Sequence, residues 1–135
     1  MILIGIGGGT GSGKTALAKR IAEQFESGDV VIIEQDSYYL DRSEMPLSER
    51  RKANFDHPDA FDMDLLISHT SRLRSGYGVN QPVYDYTTHT RSRETRRIEP
   101  ADVVILEGIL VLHPQRLRDL MDVKVYVDAP DDIRF

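Results

Sequence analysis

The chain has 135 residues, 40% of them apolar and 29% charged, enough to enclose one hydrophobic core and too few to expect two. Its net charge of −5 argues against the basic face that general nucleic-acid binding needs, and without cysteine it has no disulfide, thiolate metal site or cysteine nucleophile. Apolar runs are strand-sized, far short of a membrane span, and residues 1–7 carry no charged leader, so a cytoplasmic enzyme with neither nucleic-acid nor membrane partner is expected.

In chain order, apolar and mostly β-branched runs occur at residues 2–6, 30–33, 103–106 and 123–127. Continuous apolar character marks strands covered on both faces, as in a parallel sheet. Helical patterns lie between them at 15–25, 62–73 and 114–121, which predicts an α/β fold with helices flanking the sheet. Gly28 is the expected stop of the first helix. Two polar segments break the alternation. Residues 37–61 carry a predicted short helix around 47–53, and residues 79–98 read as two extended arms joined near 87–90, an inserted β-hairpin standing off the sheet. The whole of residues 1–135 is thus expected to form one domain with a hairpin insertion, and long segments of this kind in a small domain are usually functional.

Between the first strand and the first helix stands GGTGSGKT. It fits G-x-x-x-x-G-K-[ST], with Gly8, Gly13, Lys14 and Thr15 at the fixed positions and Gly9, Thr10, Gly11 and Ser12 between them. Glycines let the backbone N–H groups turn inward around an anion, and the following helix offers its positive end. Lys14 would then reach the β- and γ-phosphates and the Thr15 hydroxyl would ligate Mg²⁺, so ATP with Mg²⁺ is the expected cofactor pair.

Ligands of open α/β sheets gather beyond the C-terminal ends of the strands. Three predicted strands end there in acids: Asp36, Glu107 and Asp128. Asp36 and Glu107 could share the cation or take a proton from an attacking hydroxyl. Asp128, followed by Ala129 and Pro130, suits a helix start instead. The chain has neither a D-x-x-G switch nor an N-K-x-D base-reading motif, so a GTPase is disfavoured. Two insertions rich in hydroxyl, aromatic and charged groups favour a kinase for a small polar acceptor. A nucleotide-binding module without turnover is the alternative from another class.

GGTGSGKT, EQDSYY, NFDHPDAFD, PVYDYTTHTR and ILEGIL, in that order, resemble the uridine kinase branch of the phosphoribulokinase and uridine kinase family. The resemblance implies a P-loop fold of the nucleoside-monophosphate-kinase type, ATP-dependent phosphorylation of the 5′-hydroxyl of uridine or cytidine, and a homo-oligomer, commonly a tetramer. By position it implies Asp36 as catalytic base, Tyr39 as a wall of the nucleoside site, Asp56 on the ribose hydroxyls with Phe55 beside the base, Tyr84 and His89 as readers of the pyrimidine, Glu107 near Mg²⁺ and Thr15 as metal ligand. These residue types suit those tasks. A carboxylate accepts from vicinal hydroxyls in pairs, and a histidine with a tyrosine hydroxyl can read a pyrimidine edge while an aromatic ring covers its face. Phosphoribulokinases share parts of the pattern but act on a sugar phosphate; the hairpin YDYTTHTR suits a base better. His57 is expected to be structural, His69 and His113 to be surface residues, and Arg91, Arg93, Arg96 and Arg97 to lie on a solvated hairpin arm. By the resemblance the family continues past residue 135 into an arginine-rich lid, so the chain is expected to be a fragment or C-terminally shortened form that binds phosphate but is weakly active or inactive alone.

Overall fold

In chain order the elements are β1 (Ile2–Gly8), α1 (Lys14–Ala22), β2 (Val30–Glu34), a 3-10 turn (Gln35–Tyr38), α2 (Leu47–Arg50), α3 (Met63–Arg74), β3 (Val79–Asp85), β4 (Thr90–Ile98), β5 (Val103–Gly108), α4 (Gln115–Arg118) and β6 (Val123–Val127). The structure, a computed structural model, describes residues 1–9, 11–41, 43–50 and 60–128.

Four strands form one parallel sheet in the order β2-β5-β1-β6. The apolar runs predict this, because each face must be covered. Period-2 alternation sorts the side chains: Ile4 and Ile6 of β1, Val103 and Ile105 of β5, and Val30 and Ile32 of β2 face α1, packing with Ala18, Leu17 and Ile21. Leu3, Ile33, Val104 and Leu106 face the other way, onto Leu66 and Leu73 of α3 and Leu117 of α4. Leu3, Val104, Leu106, Leu66 and Leu117 are fully excluded from solvent. Full burial stabilises each such side chain by roughly 1.5–3 kcal/mol.

β3 and β4 pair antiparallel as a separate two-stranded sheet, the predicted hairpin, with its base closed by the buried pair Val79 and Ile98. The connection spans residues 86–89, one residue earlier than predicted, because Asp85 Oδ1 accepts from the Thr87 and Thr88 N–H groups at 2.8 and 3.4 Å and starts the turn there. His89 completes it with φ of 53°, in the left-handed region that histidine tolerates better than most residues.

Helix boundaries differ from the sequence reading. α1 ends at Ala22 rather than at residue 25: Gln24 and Phe25 N–H groups bond to Ile21 and Ala22 carbonyls, three residues back, so the last turn tightens. Gly28, with φ of 97°, does not stop the helix but turns the chain into β2. α4 is one turn long where eight residues were predicted. The predicted helix around 47–53 is seen at Leu47–Arg50, and its last residues lie outside the described ones.

Candidate functional site

β1 delivers the glycine-rich loop to the C-terminal edge of the sheet, and α1 starts directly beyond it. Gly13, at the N-cap of α1, has φ of 92° and offers no side-chain cap, and the first turn holds no acid. α3 differs in both respects, since Asp62 caps it by accepting from Leu65 N–H at 3.1 Å and Asp64 follows. The first N–H groups of α1 are therefore left for an external anion. Gly8 must lack a side chain: a Cβ there would lie 2.6 Å from the Val127 carbonyl oxygen and 2.8 Å from Ser12 Oγ. Beside Gly9, Gly11 and Gly13 the same atom would meet open space, so the loop encloses a bare cradle. Ser12 Oγ is buried there with no hydrogen-bond partner, which a phosphate oxygen would satisfy. Thr10 lies outside the described residues.

Glu107 ends β5 on the face that carries α1, in register with Ile6 of β1 and Glu34 of β2. It is 5% exposed, and Thr15 Oγ1 donates to its Oε2 at 3.3 Å. Burial pushes the Glu107 carboxyl above the usual carboxylate range. The Lys14 charge and the Thr15 bond work against that, while Glu34 and Asp36 reinforce it. One buried carboxyl thus feels both the loop lysine and Asp36. Asp36 stands exposed on the 3-10 turn, two residues past the Glu34–Glu107 register pair. Among the described residues no group of three or more His, Asp or Glu could hold a metal ion unaided. A cation placed by Thr15 and Glu107 would need phosphate oxygens to complete its shell, as Mg²⁺ in phosphate loops does. Asp128 is exposed beyond β6.

An aromatic group gathers where the end of the 3-10 turn meets the hairpin. Tyr39 stacks on Phe61 with centroids 4.5 Å apart and meets Tyr84 at 4.9 Å; Tyr84 meets Tyr86 edge-on at 4.9 Å. Tyr39, Tyr84, Tyr86 and His89 line a cavity of about 200 Å³. Partial burial raises the Tyr86 hydroxyl above its ordinary value, and the Asp36 and Glu34 charges add to the rise. Phe55 and Asp56, expected on the base and the ribose, lie outside the described residues, as does His57.

Two expectations are corrected. Arg91 is no solvated arm residue: its Nη2 donates to the Tyr39 carbonyl at 3.2 Å and to Asp62 Oδ2 at 3.4 Å, tying the hairpin to the segment behind the 3-10 turn. Arg93, Arg96 and Arg97 are exposed as expected. His69 is half-buried on α3 and bonded to Tyr38, whereas His113 is exposed. The sequence reading also missed Tyr86, Phe61, Glu34 and Gln35. Period 2 from Tyr84 signals Tyr86, and period 2 from Ile32 signals Glu34. No local pattern signals Phe61 or Gln35, which matter through contacts distant in sequence.

Comparison with known proteins bears on what this geometry serves. Residues 3–135 match the family described as Phosphoribulokinase / Uridine kinase family. A uridine kinase of Anoxybacillus flavithermus is 56% identical over 133 residues, covering 98% of this chain and 63% of that protein; one of Bacillus subtilis is 53% identical with the same coverage. The chain thus spans somewhat less than two thirds of the length of these relatives. Among solved structures, one described as a possible uridine kinase from Bacillus stearothermophilus superposes with a TM-score of 0.73 at 26% identity, covering 99% of this chain and 74% of that one.

Proposed function

Because the chain belongs to the Phosphoribulokinase / Uridine kinase family, we propose that it transfers the terminal phosphoryl group of ATP to the 5′-hydroxyl of uridine or cytidine. The observation that carries this reading is the placement of Glu107, which interacts with Lys14 and Thr15 on the donor side and with Asp36 on the acceptor side. Asp36 in turn acts on Tyr86, a wall of the aromatic cavity.

In this reading Gly8 to Thr15 hold the ATP phosphates through backbone N–H groups, and Lys14 neutralises charge on them. Thr15 and Glu107 would hold Mg²⁺, which when bound stabilises negative charge on the β- and γ-phosphates. Asp36 accepts the proton of the 5′-hydroxyl as the oxygen attacks. Tyr39, Tyr84, Tyr86 and His89 enclose the base, with Asp56 and Phe55 assigned to ribose and base by resemblance. The rings exclude water and fix the hydroxyl, and such positioning supplies much of the rate in phosphoryl transfer. The uridine kinases of similar sequence support a nucleoside acceptor; a cytoplasmic and homo-oligomeric enzyme belongs to the proposal by resemblance alone. Among the described residues no helix is long and apolar enough to cross a membrane.

ADP release measured with uridine, cytidine, ribulose 5-phosphate and pantothenate tests the proposal. Turnover with either nucleoside is expected; turnover with the sugar phosphate alone would overturn it.

A further inference from the structure

Gln35 is completely buried although it is polar and directly precedes the exposed Asp36. Its Oε1 accepts from the Leu110 N–H at 2.8 Å, in the segment that follows β5. Its Nε2 faces Met63 Sδ at 3.8 Å, at the start of α3. Between these ends the side chain crosses the β5 backbone at Gly108, where a Cβ would collide with Gln35 Cβ and Oε1. Glu34 and Glu107 form the last register pair of β2 and β5. The residues just beyond that pair are therefore in contact, a side chain lying over bare backbone.

We propose that Gln35 is a positioning residue, which locks the 3-10 turn onto the backbone of residues 108–110 and so fixes where Asp36 stands relative to Glu107. The inference rests on the reading above, in which Asp36 accepts a proton and Glu107 serves the cation side. A four-residue 3-10 turn has few and poorly aligned hydrogen bonds of its own. The buried amide ties the turn to the segment after β5. An apolar side chain would leave the Leu110 N–H orphaned, and a carboxylate would add a buried negative charge beside Glu34, Asp36 and Glu107. Gly108 is the counterpart, since it alone leaves room for the crossing. The dipeptides Gln35-Asp36 and Glu107-Gly108, far apart in sequence, act as one unit.

Gln35→Met keeps the volume and removes the acceptor. In this variant the carboxyl carbon resonances of Asp36 and Glu107 at neutral pH should move, while that of Asp122, at the opposite end of the sheet, should not. The Leu110 amide should lose protection from hydrogen exchange. Where the wild type phosphorylates a nucleoside, kcat should fall about 10- to 100-fold with the KM for ATP nearly unchanged. Gly108→Ala should reproduce these effects and serves if Gln35→Met does not fold. Adding Gln35→Gly to Gly108→Ala, which removes the colliding Cβ as well, should raise the thermal midpoint above that of Gly108→Ala but restore neither kcat nor the resonances, which separates positioning from packing. If the wild-type chain phosphorylates no nucleoside, the acceptor reading fails and the resonances alone decide on Gln35. Unmoved Asp36 and Glu107 resonances in folded Gln35→Met, or an unchanged kcat, overturn the proposal.

Discussion

Tyr38 Oη lies 2.8 Å from His69 Nδ1, joining the 3-10 turn to α3 through a fully buried tyrosine and a half-buried histidine. Burial pushes the Tyr38 hydroxyl well above its ordinary range, so it stays protonated and donates. Burial, with help from the Arg72 and Arg91 charges, holds His69 below its usual 6.5, so its neutral Nδ1 accepts. The unfolded chain therefore binds a proton at His69 more readily than the folded one. The resulting stability is present above about pH 6.5 and is lost as pH falls through the lowered folded value. Melting temperatures at pH 7 and pH 5 should differ more in the wild type than in His69→Phe. Equal differences would show that the pair does not set the acid response. Tyr38→Phe should cost about 1 kcal/mol at pH 7.

Lys14→Ala should weaken ATP binding about 10- to 100-fold, since one charge-assisted contact with phosphate is lost. Calorimetric titration of ATP into both proteins measures it. Equal affinities would place the nucleotide somewhere other than this loop.

Asp36→Asn should lower turnover about 10²- to 10⁴-fold while leaving nucleoside affinity close to wild type, as removal of a positioned base does. Equilibrium binding and single-turnover rates separate the two effects. A loss of affinity with unchanged single-turnover rate would assign Asp36 to binding.

Glu107→Gln separates stability from activity. Its carboxyl is buried beside Glu34 and Asp36, an arrangement unfavourable to charge and opposed by Lys14 and Thr15. The neutral amide should raise the thermal midpoint at pH 7 in the absence of nucleotide and diminish the response of ATP binding to Mg²⁺. A lowered midpoint would mean that the Lys14 and Thr15 contacts outweigh the desolvation of the carboxylate.

His89→Gly should keep the hairpin turn, because glycine takes φ near 53° without strain. The ring is lost from the cavity, so the KM for the nucleoside should rise about tenfold, the equivalent of one hydrogen bond. Steady-state kinetics at saturating ATP decide it; an unchanged KM would remove His89 from acceptor recognition.

Much of the scaffold is legible from the chain alone. The apolar runs place all four sheet strands, with three extending by one or two residues at the C-terminal end, where Gly7, Gly8, Glu34, Glu107 and Gly108 still pair although they are not apolar. Strand ends are harder to read than strand centres because ladder hydrogen bonds need a partner backbone rather than a hydrophobic side chain. The hairpin is visible as two extended arms around a polar turn rather than as an apolar run, and its turn is misplaced by one residue because Asp85 bonds to its own following backbone.

By itself the sequence determines the elements and the phosphate loop. Both depend on interactions a few residues apart: side-chain alternation along a strand, helical periodicity, and glycines that let consecutive N–H groups converge. Which acids meet is decided only by the tertiary structure. Glu107 reaches Thr15 across 92 positions because β5 lies between β1 and β2 in parallel register. Arg91 reaches Asp62 and Tyr39 because the hairpin folds back over the 3-10 turn. Gln35 is buried because Gly108 leaves its path open. These contacts are set by strand order and register, which arise when separate apolar faces are buried together, and no local pattern encodes them.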